Sequence, residues 1–266
     1  PEAGMKKETI SSLQNPLVKG WRALNKSRAE RMQAGLFLAE GDHLAGEALK
    51  EGKALALLLA EDCQEKYAHL LRAAGALPVY LLSGHVMCAI CDAKTPQGAA
   101  ALCAYPQEDA PLQGDWLIAL DGVQDPGNVG TLLRTMDAAG FHGMLLDEKT
   151  ADPYGPKALR ASMGAVFRVP AARCADLPER LAHLAAQGYD ILAGDLRGEP
   201  FYRRPPTKKK ACIVIGNEGA GISPAVLEKA TLRVKLPMAG GAESLNAAVA
   251  GSIMMYDLLR ERLNGL

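Results

Sequence analysis

Short apolar runs alternate with segments of helical periodicity along most of the chain, and glycine or proline stands at many of the junctions. A short apolar run bounded by turn residues indicates a β-strand, whereas apolar residues at helical spacing indicate an α-helix. Strands are predicted at residues 36–40, 54–60, 77–82, 98–105, 116–121, 141–146, 165–169, 190–194, 211–216 and 232–236. Helices are predicted at residues 43–52, 63–75, 128–139, 176–187, 224–230 and 244–263. This alternation predicts an α/β protein with a mostly parallel sheet.

The stretch over residues 106–114 is rich in proline, acidic and without periodicity, which is typical of a linker. It divides the alternation into a small α/β domain over residues 1–105 and a second α/β domain over residues 115–266. Nearly half of the residues are apolar, so a chain of this length can bury a sizeable core. Residues 1–4 precede Met5 and are interpreted as the remnant of an expression tag.

The formal net charge is zero, but the basic residues are unevenly distributed. Between residues 5 and 35 the only acids are Glu8 and Glu30. The bases of that stretch are Lys6, Lys7, Lys19, Arg22, Lys26, Arg28 and Arg31. A second basic cluster comprises Arg203, Arg204, Lys208, Lys209 and Lys210. Local basic patches on a neutral protein favour a polyanionic partner such as nucleic acid, although any one cluster alone is more often solvated surface.

Several classes of protein are disfavoured by what the sequence lacks. No apolar run approaches the roughly 20 residues of a membrane span, and no secretory signal is visible. We therefore predict a cytoplasmic protein with reduced cysteines and no membrane association. Cys88 and Cys91 have C-x-x-C spacing, but no second pair or histidine array completes a zinc site, so no metal is predicted.

Three glycine-rich turns directly follow predicted strands. They are DGVQDPGNVG at residues 121–130, GNEGAGISP at 216–224 and LPMAGGAESLN at 236–246. Ligands of open α/β sheets bind beyond the carboxyl ends of strands, and glycine lets the backbone approach them closely. The turns match neither the G-x-G-x-x-G fingerprint of dinucleotide-binding proteins nor a phosphate-binding Gly-Lys-Ser/Thr loop.

Polar side chains in these turns are the candidate functional groups. Asn128 and Arg134 accompany the first turn, and Glu218 stands between glycines in the second. Ser244 and Asn246 begin the last predicted helix, which Ser244 can cap. Each has a simpler interpretation, since Asn128 can be an ordinary N-cap, and the other side chains can be solvated or satisfy helix ends. The last helix is apolar nearly all round and is predicted to be mostly buried.

The three motifs together resemble those of the SpoU-type RNA ribose 2′-O-methyltransferases of the SPOUT superfamily. The matching patterns are N-x-G-x-x-x-R, I-G-N-E-G-x-G and L-P-M-x-x-x-x-E-S-L-N, in the family's order. The resemblance covers residues 115–266, and residues 1–105 resemble, less specifically, the small RNA-binding domain that many members carry in front.

This resemblance implies a deep C-terminal trefoil knot, S-adenosylmethionine as the cofactor and a homodimer formed through the knotted domain. The residues that would bind the cofactor are Gly216, Leu236, Leu245, Gly194 and Asp195. The implied catalytic cluster is Asn128, Arg134, Glu218, Ser244 and Asn246. The substrate would be structured RNA, with ribosomal RNA favoured over transfer RNA by analogy with members that carry a front domain.

Two roles remain open for Arg134. The family's mechanism assigns it the proton of the ribose hydroxyl, but a guanidinium with a pKa above about 12 is a poor base. It can equally clamp a phosphate and stabilise the developing alkoxide. Two other functions also remain open, a non-catalytic RNA-binding protein on the same scaffold and, disfavoured by the absent fingerprint, a nucleotide-dependent oxidoreductase.

Overall fold

The structure, a computed structural model, describes residues 7–107, 111–207 and 209–265, and these divide into two compact units. The first unit comprises the described residues up to Pro106 together with Tyr154–Arg168. The second comprises the described residues of Gln107–Pro153 and of the chain from Val169 onward. The interpretation of residues 1–4, the basic residues Lys6 and Lys208, and the middle of the predicted linker lie outside the described residues.

The first unit is built on a five-stranded mixed sheet of order β1-β4-β3-β5-β2. Its strands are β1 (Lys7–Ile10), β2 (Leu36–Glu40), β3 (Ala54–Ala60), β4 (Val79–Leu82) and β5 (Ala99–Ala104). Its helices are α1 (Pro16–Leu24), α2 (Arg28–Ala34), α3 (Asp42–Lys50), α4 (Ala68–Ala74), α5 (Gly84–Ile90) and α7 (Pro156–Ser162). The strand β5 runs antiparallel to both its neighbours, β3 and β2, and the other pairs are parallel.

The second unit contains a six-stranded sheet of order β11-β9-β10-β6-β7-β8, in which every pair is parallel. Its strands are β6 (Trp116–Asp121), β7 (Gly143–Leu146), β8 (Ala171–Arg173), β9 (Asp190–Pro200), β10 (Ala211–Gly216) and β11 (Leu232–Lys235). Its helices are α6 (Pro126–Ala139), α8 (Leu177–Ala186), α9 (Pro224–Leu227) and α10 (Ala247–Asn264). The predicted α/β class with a mostly parallel sheet is confirmed.

Central strands of this sheet are apolar throughout because both faces are buried. Residues 117–120 of β6 and 212–214 of β10 are fully buried, and this continuous pattern is why both strands have the predicted bounds. A parallel sheet collects the carboxyl ends of its strands at one edge. The turns after β6 and β10 therefore lie next to each other.

Some element predictions are wrong. The apolar stretch 165–169 forms no strand but a 3₁₀ turn over Ala165–Phe167, and this turn belongs to the first unit. The Phe167 ring stacks on Phe37 of β2, with ring centroids 6.2 Å apart. The helices α2, α5 and α7 and the strands β1 and β8 were not predicted, since each is short and gives little periodicity to recognise.

Two arginines of the predicted basic patches are buried. Arg31 is 5% exposed and donates a hydrogen bond to the Leu24 carbonyl at 2.6 Å. The Arg204 side chain is 2% exposed and pairs with Asp257 at 3.1 Å and Glu261 at 2.6 Å, both on α10. These two arginines hold the fold together and are not part of a nucleic-acid surface. Among the described residues, no helix is long and apolar enough to cross a membrane.

Candidate active site

The carboxyl ends of β6 and β10 lie side by side, because Gly216 pairs with Asp121 in the parallel register. Gly216 allows a close approach of backbone to backbone. A Cβ at this position would lie 2.3 Å from the carbonyl carbon of Gly221 and from the amide nitrogen of Ile222. Asn217 and Gly221 exchange backbone hydrogen bonds of 3.0 and 2.9 Å, which close the turn after β10.

The Glu218 carboxylate joins this turn to the turn after β6. It accepts hydrogen bonds from the backbone N–H groups of Gln124 and Asp125, each at 3.1 Å, and from the Asn128 side-chain amide at 2.9 Å. Burial acts to raise the pKa of Glu218, but the hydrogen bonds from Asn128 and the two backbone groups outweigh it and hold the pKa below its ordinary value. Glu218 is therefore ionised near neutral pH and acts only as an acceptor.

Asn128 continues this connection to the start of α10. It is 6% exposed, and its Oδ1 accepts a hydrogen bond from the Asn246 side-chain amide at 2.9 Å. The Asn246 Oδ1 accepts in turn from the N–H groups of Ala248 and Val249 at 2.9 and 3.2 Å, so Asn246 caps α10. Three predicted site residues thus form one hydrogen-bonded series, which we call the Glu218–Asn128–Asn246 chain.

Neither of the two helix caps that the sequence allowed is found. Ser244 does not cap α10, because the helix begins at Ala247 and Asn246 takes the cap position. Asn128 is not an N-cap either, since Asp125 caps α6 and accepts from the Gly127 N–H at 2.8 Å. Asn128 lies instead inside the first turn of α6, where its side chain reaches Glu218.

A cavity lies against the Glu218–Asn128–Asn246 chain, at the edge where the strands end, and Glu218 and Ser244 contribute to its lining. All five predicted cofactor residues line it: Gly194, Asp195, Gly216, Leu236 and Leu245. The other lining side chains are mainly apolar, among them Ile215, Met238 and Met254. Apolar walls, glycine backbone and two carboxylates suit a ligand with a flat ring and charged or hydroxylated ends, as S-adenosylmethionine has. The residues present therefore fit this cofactor.

Gly194 and Asp195 reach the cavity from within a strand and not from its end. The predicted strand over 190–194 is too short, because β9 continues to Pro200. The Asp195 carboxylate accepts from the backbone N–H of Arg197 at 3.1 Å and from its Nε at 3.4 Å. Arg197 itself is largely exposed.

Arg134 is not brought into this cavity. It lies on α6, six residues after Asn128, with an exposed side chain. It is absent from the cavity lining formed by the described residues of the chain. The predicted catalytic cluster is thus divided between residues at the cavity and one exposed cation on α6.

Two residues that sequence reasoning missed hold the turns in place. The Asn217 side chain donates to the Gly122 carbonyl at 2.8 Å, and its Oδ1 accepts from Gly219 and Ala220. The Asp121 carboxylate accepts from the Ser223 N–H at 2.6 Å. The sequence contains a signal for both residues. Asparagine in a tight turn and a carboxylate at the end of a buried strand both favour hydrogen bonds to the backbone.

The helix α10 is less buried than predicted. Val249, Tyr256 and Leu263 are exposed by 47, 51 and 63%, and they follow one another at intervals of seven residues along the helix. The helix also packs on α6, where Ser252, which lies between Val249 and Tyr256 along the helix, shares a hydrogen bond of 2.9 Å with Thr135. The helix therefore carries an apolar strip that the described part of its own chain does not cover.

Comparison with known proteins identifies the family. A profile of the SpoU rRNA Methylase family matches residues 115–256, more than half of the chain. The chain belongs to this family. A second profile, that of the MRM3-like substrate binding domain, matches residues 15–101.

Individual relatives span nearly the whole chain. The 23S rRNA (guanosine(2553)-2′-O)-methyltransferase RlmP of Bacillus subtilis (strain 168) is 37% identical over 249 residues, which cover 94% of this chain and 98% of that protein. The 23S rRNA (uridine(2479)-2′-O)-methyltransferase of Streptomyces viridochromogenes is 32% identical, with 92% of this chain and 90% of that protein covered.

A solved structure with its cofactor is also similar. The SpoU methyltransferase AviRb of Streptomyces viridochromogenes in complex with AdoMet superposes with a TM-score of 0.86 at 28% identity, covering 95% of this chain and 100% of that one. These comparisons confirm the predicted family, the enzyme class of S-adenosylmethionine-dependent RNA 2′-O-methyltransferases and the cofactor. The roles of the individual site residues stay predictions.

Proposed function

We propose that the protein transfers the methyl group of S-adenosylmethionine to the ribose 2′-hydroxyl of one nucleotide in ribosomal RNA. The observation that carries this proposal is the Glu218–Asn128–Asn246 chain beside the glycine-rich cavity. Ribosomal RNA is favoured over transfer RNA because RlmP and the Streptomyces viridochromogenes enzyme, both similar over most of their length, are named as 23S rRNA methyltransferases.

The cavity residues would hold the cofactor largely through backbone groups. When bound, S-adenosylmethionine supplies a methyl group activated by its sulfonium. Leu236 and Leu245 would pack against the ring, while the backbone at Gly194 and Gly216 would offer hydrogen-bonding groups and Asp195 a carboxylate for hydroxyl or amino groups. Removing these groups from water also strengthens the polar contacts made there.

The Glu218–Asn128–Asn246 chain would act as a positioning device. Each amide and carboxylate in it already has partners inside the protein, and Glu218 alone accepts three hydrogen bonds. A carboxylate engaged in this way is a weak base but holds two turns and a helix start in fixed relation. Ser244, which lines the cavity and is exposed, would be placed to contact the ribose.

Arg134 would contact the RNA from the exposed side of α6 and take up the phosphate next to the target ribose. A guanidinium presents a planar fork of donors that matches phosphate oxygens and stabilises negative charge on the reacting oxygen. A permanently charged side chain suits this clamp better than proton abstraction. The exposure of Arg134 supports contact with an external partner.

The active protein would be a homodimer whose subunits meet through the second unit. Exposed apolar residues in a line along α10 support this, because Val249, Tyr256 and Leu263 would be covered by a second copy. Arg134 lies on α6, which packs along α10, so it would lie near such an interface. We further propose that the chain from β9 to α10 forms the trefoil knot and that the protein works in the cytoplasm, where ribosomal RNA is accessible.

A direct assay tests this function. The full-length protein would be incubated with deproteinised 23S rRNA and S-adenosylmethionine carrying a labelled methyl group, and the labelled nucleotide would be mapped by its resistance to alkaline cleavage. We expect one ribose to be labelled. Cofactor binding by calorimetry with no transfer to any ribosomal RNA would contradict the proposal and favour the non-catalytic RNA-binding alternative.

A further inference from the structure

The first helix carries an exposed basic face. No Asp or Glu occurs between Glu8 and Glu30. Lys19, Arg22 and Lys26 are all exposed, and none of them forms an ion pair with any part of the chain that the structure describes. Three positive charges without neutralising partners make this surface complementary to a polyanion.

In the sequence, Gly20 lies between Lys19 and Arg22, in the middle of α1. Glycine is, after proline, the least favourable residue for a helix interior. The fold itself does not require glycine here, because the position has no left-handed backbone and a Cβ would meet nothing within 4 Å. Successive residues of an α-helix are turned by about 100°, so Gly20 lies at the edge of the basic surface, beside Lys19 and on the side away from Arg22, and it leaves open space there.

The opposite side of α1 is packed into the core of the first unit. Val18, Trp21 and Leu24 are buried, and the Trp21 ring lies edge-on to Tyr80 with centroids 5.1 Å apart. The helix is thus fixed by its apolar side, and the basic side is held outward. We call the surface formed by Lys19, Gly20, Arg22, Ala23 and Lys26 the Lys19–Lys26 face.

We propose that the ribose-phosphate backbone of the RNA substrate docks on the Lys19–Lys26 face, with the strand running along α1 over Lys19, Arg22 and Lys26 and with Gly20 at its edge. Lys19, Arg22 and Lys26 would each contact a phosphate, and Gly20 would let the sugar-phosphate chain approach the helix backbone. Such contacts fix the position of an RNA without reading its bases. This inference rests on the proposed function only in taking the bound RNA to be the methylation substrate.

Charge neutralisation tests the cationic part of the face. The variant Lys19→Gln/Arg22→Gln/Lys26→Gln would be compared with Lys53→Gln/Lys66→Gln/Arg72→Gln, which removes the same charges from exposed positions elsewhere in the first unit. Binding to deproteinised Bacillus subtilis 23S rRNA would be measured over a range of salt concentrations. Loss of three phosphate contacts should lower the slope of log affinity against log salt by about 2 in the first variant and leave it unchanged in the control.

Gly20→Gln tests the close approach. Glutamine favours a helix more than glycine does, so the melting temperature should stay constant or rise. RNA affinity should nevertheless fall, on the order of tenfold, because the longer side chain fills the open space beside Lys19. Unchanged RNA affinity in Gly20→Gln, or equal salt slopes in the two triple variants, would overturn the proposal.

Two further measurements separate this inference from the proposed function. If the first triple variant bound 23S rRNA with wild-type affinity and methylated it, the inference alone would be overturned. Binding of 23S rRNA through the Lys19–Lys26 face with no methyl transfer by the wild type would overturn the proposed function alone. Equal competition by polyglutamate and by RNA of the same charge would also overturn the inference, because it would indicate an acidic protein as an equally suitable partner.

Discussion

The turns at the edge of the second unit's sheet and the Lys19–Lys26 face of the first unit differ in whether their polar side chains have partners inside the protein. At the sheet edge, the side chains of Glu218, Asn128 and Asn246 all have hydrogen-bond partners inside the protein. On the Lys19–Lys26 face, the cations have no ion-pair partner in the described chain. The first arrangement fixes geometry, whereas the second leaves charge available for an external partner.

This contrast shows that one residue type serves different purposes according to its surroundings. Gly216 is needed because two backbone segments cross within the protein, whereas Gly20 leaves open space. Arg204 is enclosed by carboxylates of α10, whereas Arg134 and Arg22 are exposed. A reaction at one ribose requires rigid placement of the reacting groups, while gripping a polyanion requires mainly accessible charge.

Gly216→Ala should have the largest effect, and it tests the rigid arrangement at the edge of the second unit's sheet. The added methyl group would lie 2.3 Å from the backbone of Gly221 and Ile222, so the turn after β10 must move. We expect a loss of about 1–3 kcal/mol in the free energy of unfolding, together with loss of cofactor binding and turnover. Thermal unfolding and calorimetric titration with S-adenosylmethionine would measure both effects.

Gly219→Ala is the matched control for this variant. The nearest atom to its added methyl group is Asn217 Oδ1 at 3.7 Å, which is an ordinary contact. Its free energy of unfolding should remain close to that of the wild type. Equal damage in the two variants would show that the turn is merely sensitive to substitution and not shaped around Gly216.

Arg134→Ala should have the next largest effect. Loss of a phosphate clamp and of its charge near the reacting oxygen should lower turnover by about 10²–10³-fold, with cofactor affinity unchanged since Arg134 does not line the cavity. Arg134→Lys separates two roles, because a point charge should retain part of the activity, whereas a fork or a base should not. Wild-type turnover in Arg134→Ala would remove this residue from the mechanism.

Glu218→Gln should have the smallest effect and should depend on pH. The native pKa of Glu218 is lowered from its ordinary value of 4.5, so the ionised carboxylate stabilises the fold above that pH. This stabilisation is lost as the pH falls through the lower native value. The melting temperature of the wild type should therefore exceed that of the variant at neutral pH, and the difference should shrink in strong acid. A difference that is constant with pH would exclude the charge as its cause.

The sequence was sufficient for the strands and turns that form the site, for a physical reason. Buried parallel strands such as β6 and β10 are continuously apolar, so their ends and the glycines beyond them are visible in the sequence. The prediction failed where tertiary contacts decide. The stretch 165–169 is apolar because Phe167 packs on Phe37, which periodicity cannot reveal.

Side-chain roles were less predictable than elements. Arg204 and Arg31 belong to basic stretches of sequence, yet both side chains are buried. The carboxylates that enclose Arg204 are distant along the chain, and the packing of nearby helices encloses Arg31. Asn246 rather than Ser244 caps α10, because the loop before it extends two residues further than the polar pattern indicates. The sequence shows where charged residues stand along the chain, but it does not show which of them are exposed on the surface.

The return of Tyr154–Arg168 to the first unit has a consequence for synthesis of the protein. Phe37 is covered partly by Tyr154 and Phe167, which follow it by more than a hundred residues. A nascent chain emerging from the ribosome therefore holds an incomplete first unit until Arg168 has been made, although domains at the amino end generally fold first. A fragment ending at Pro106 would expose the Phe37 side of its sheet to solvent.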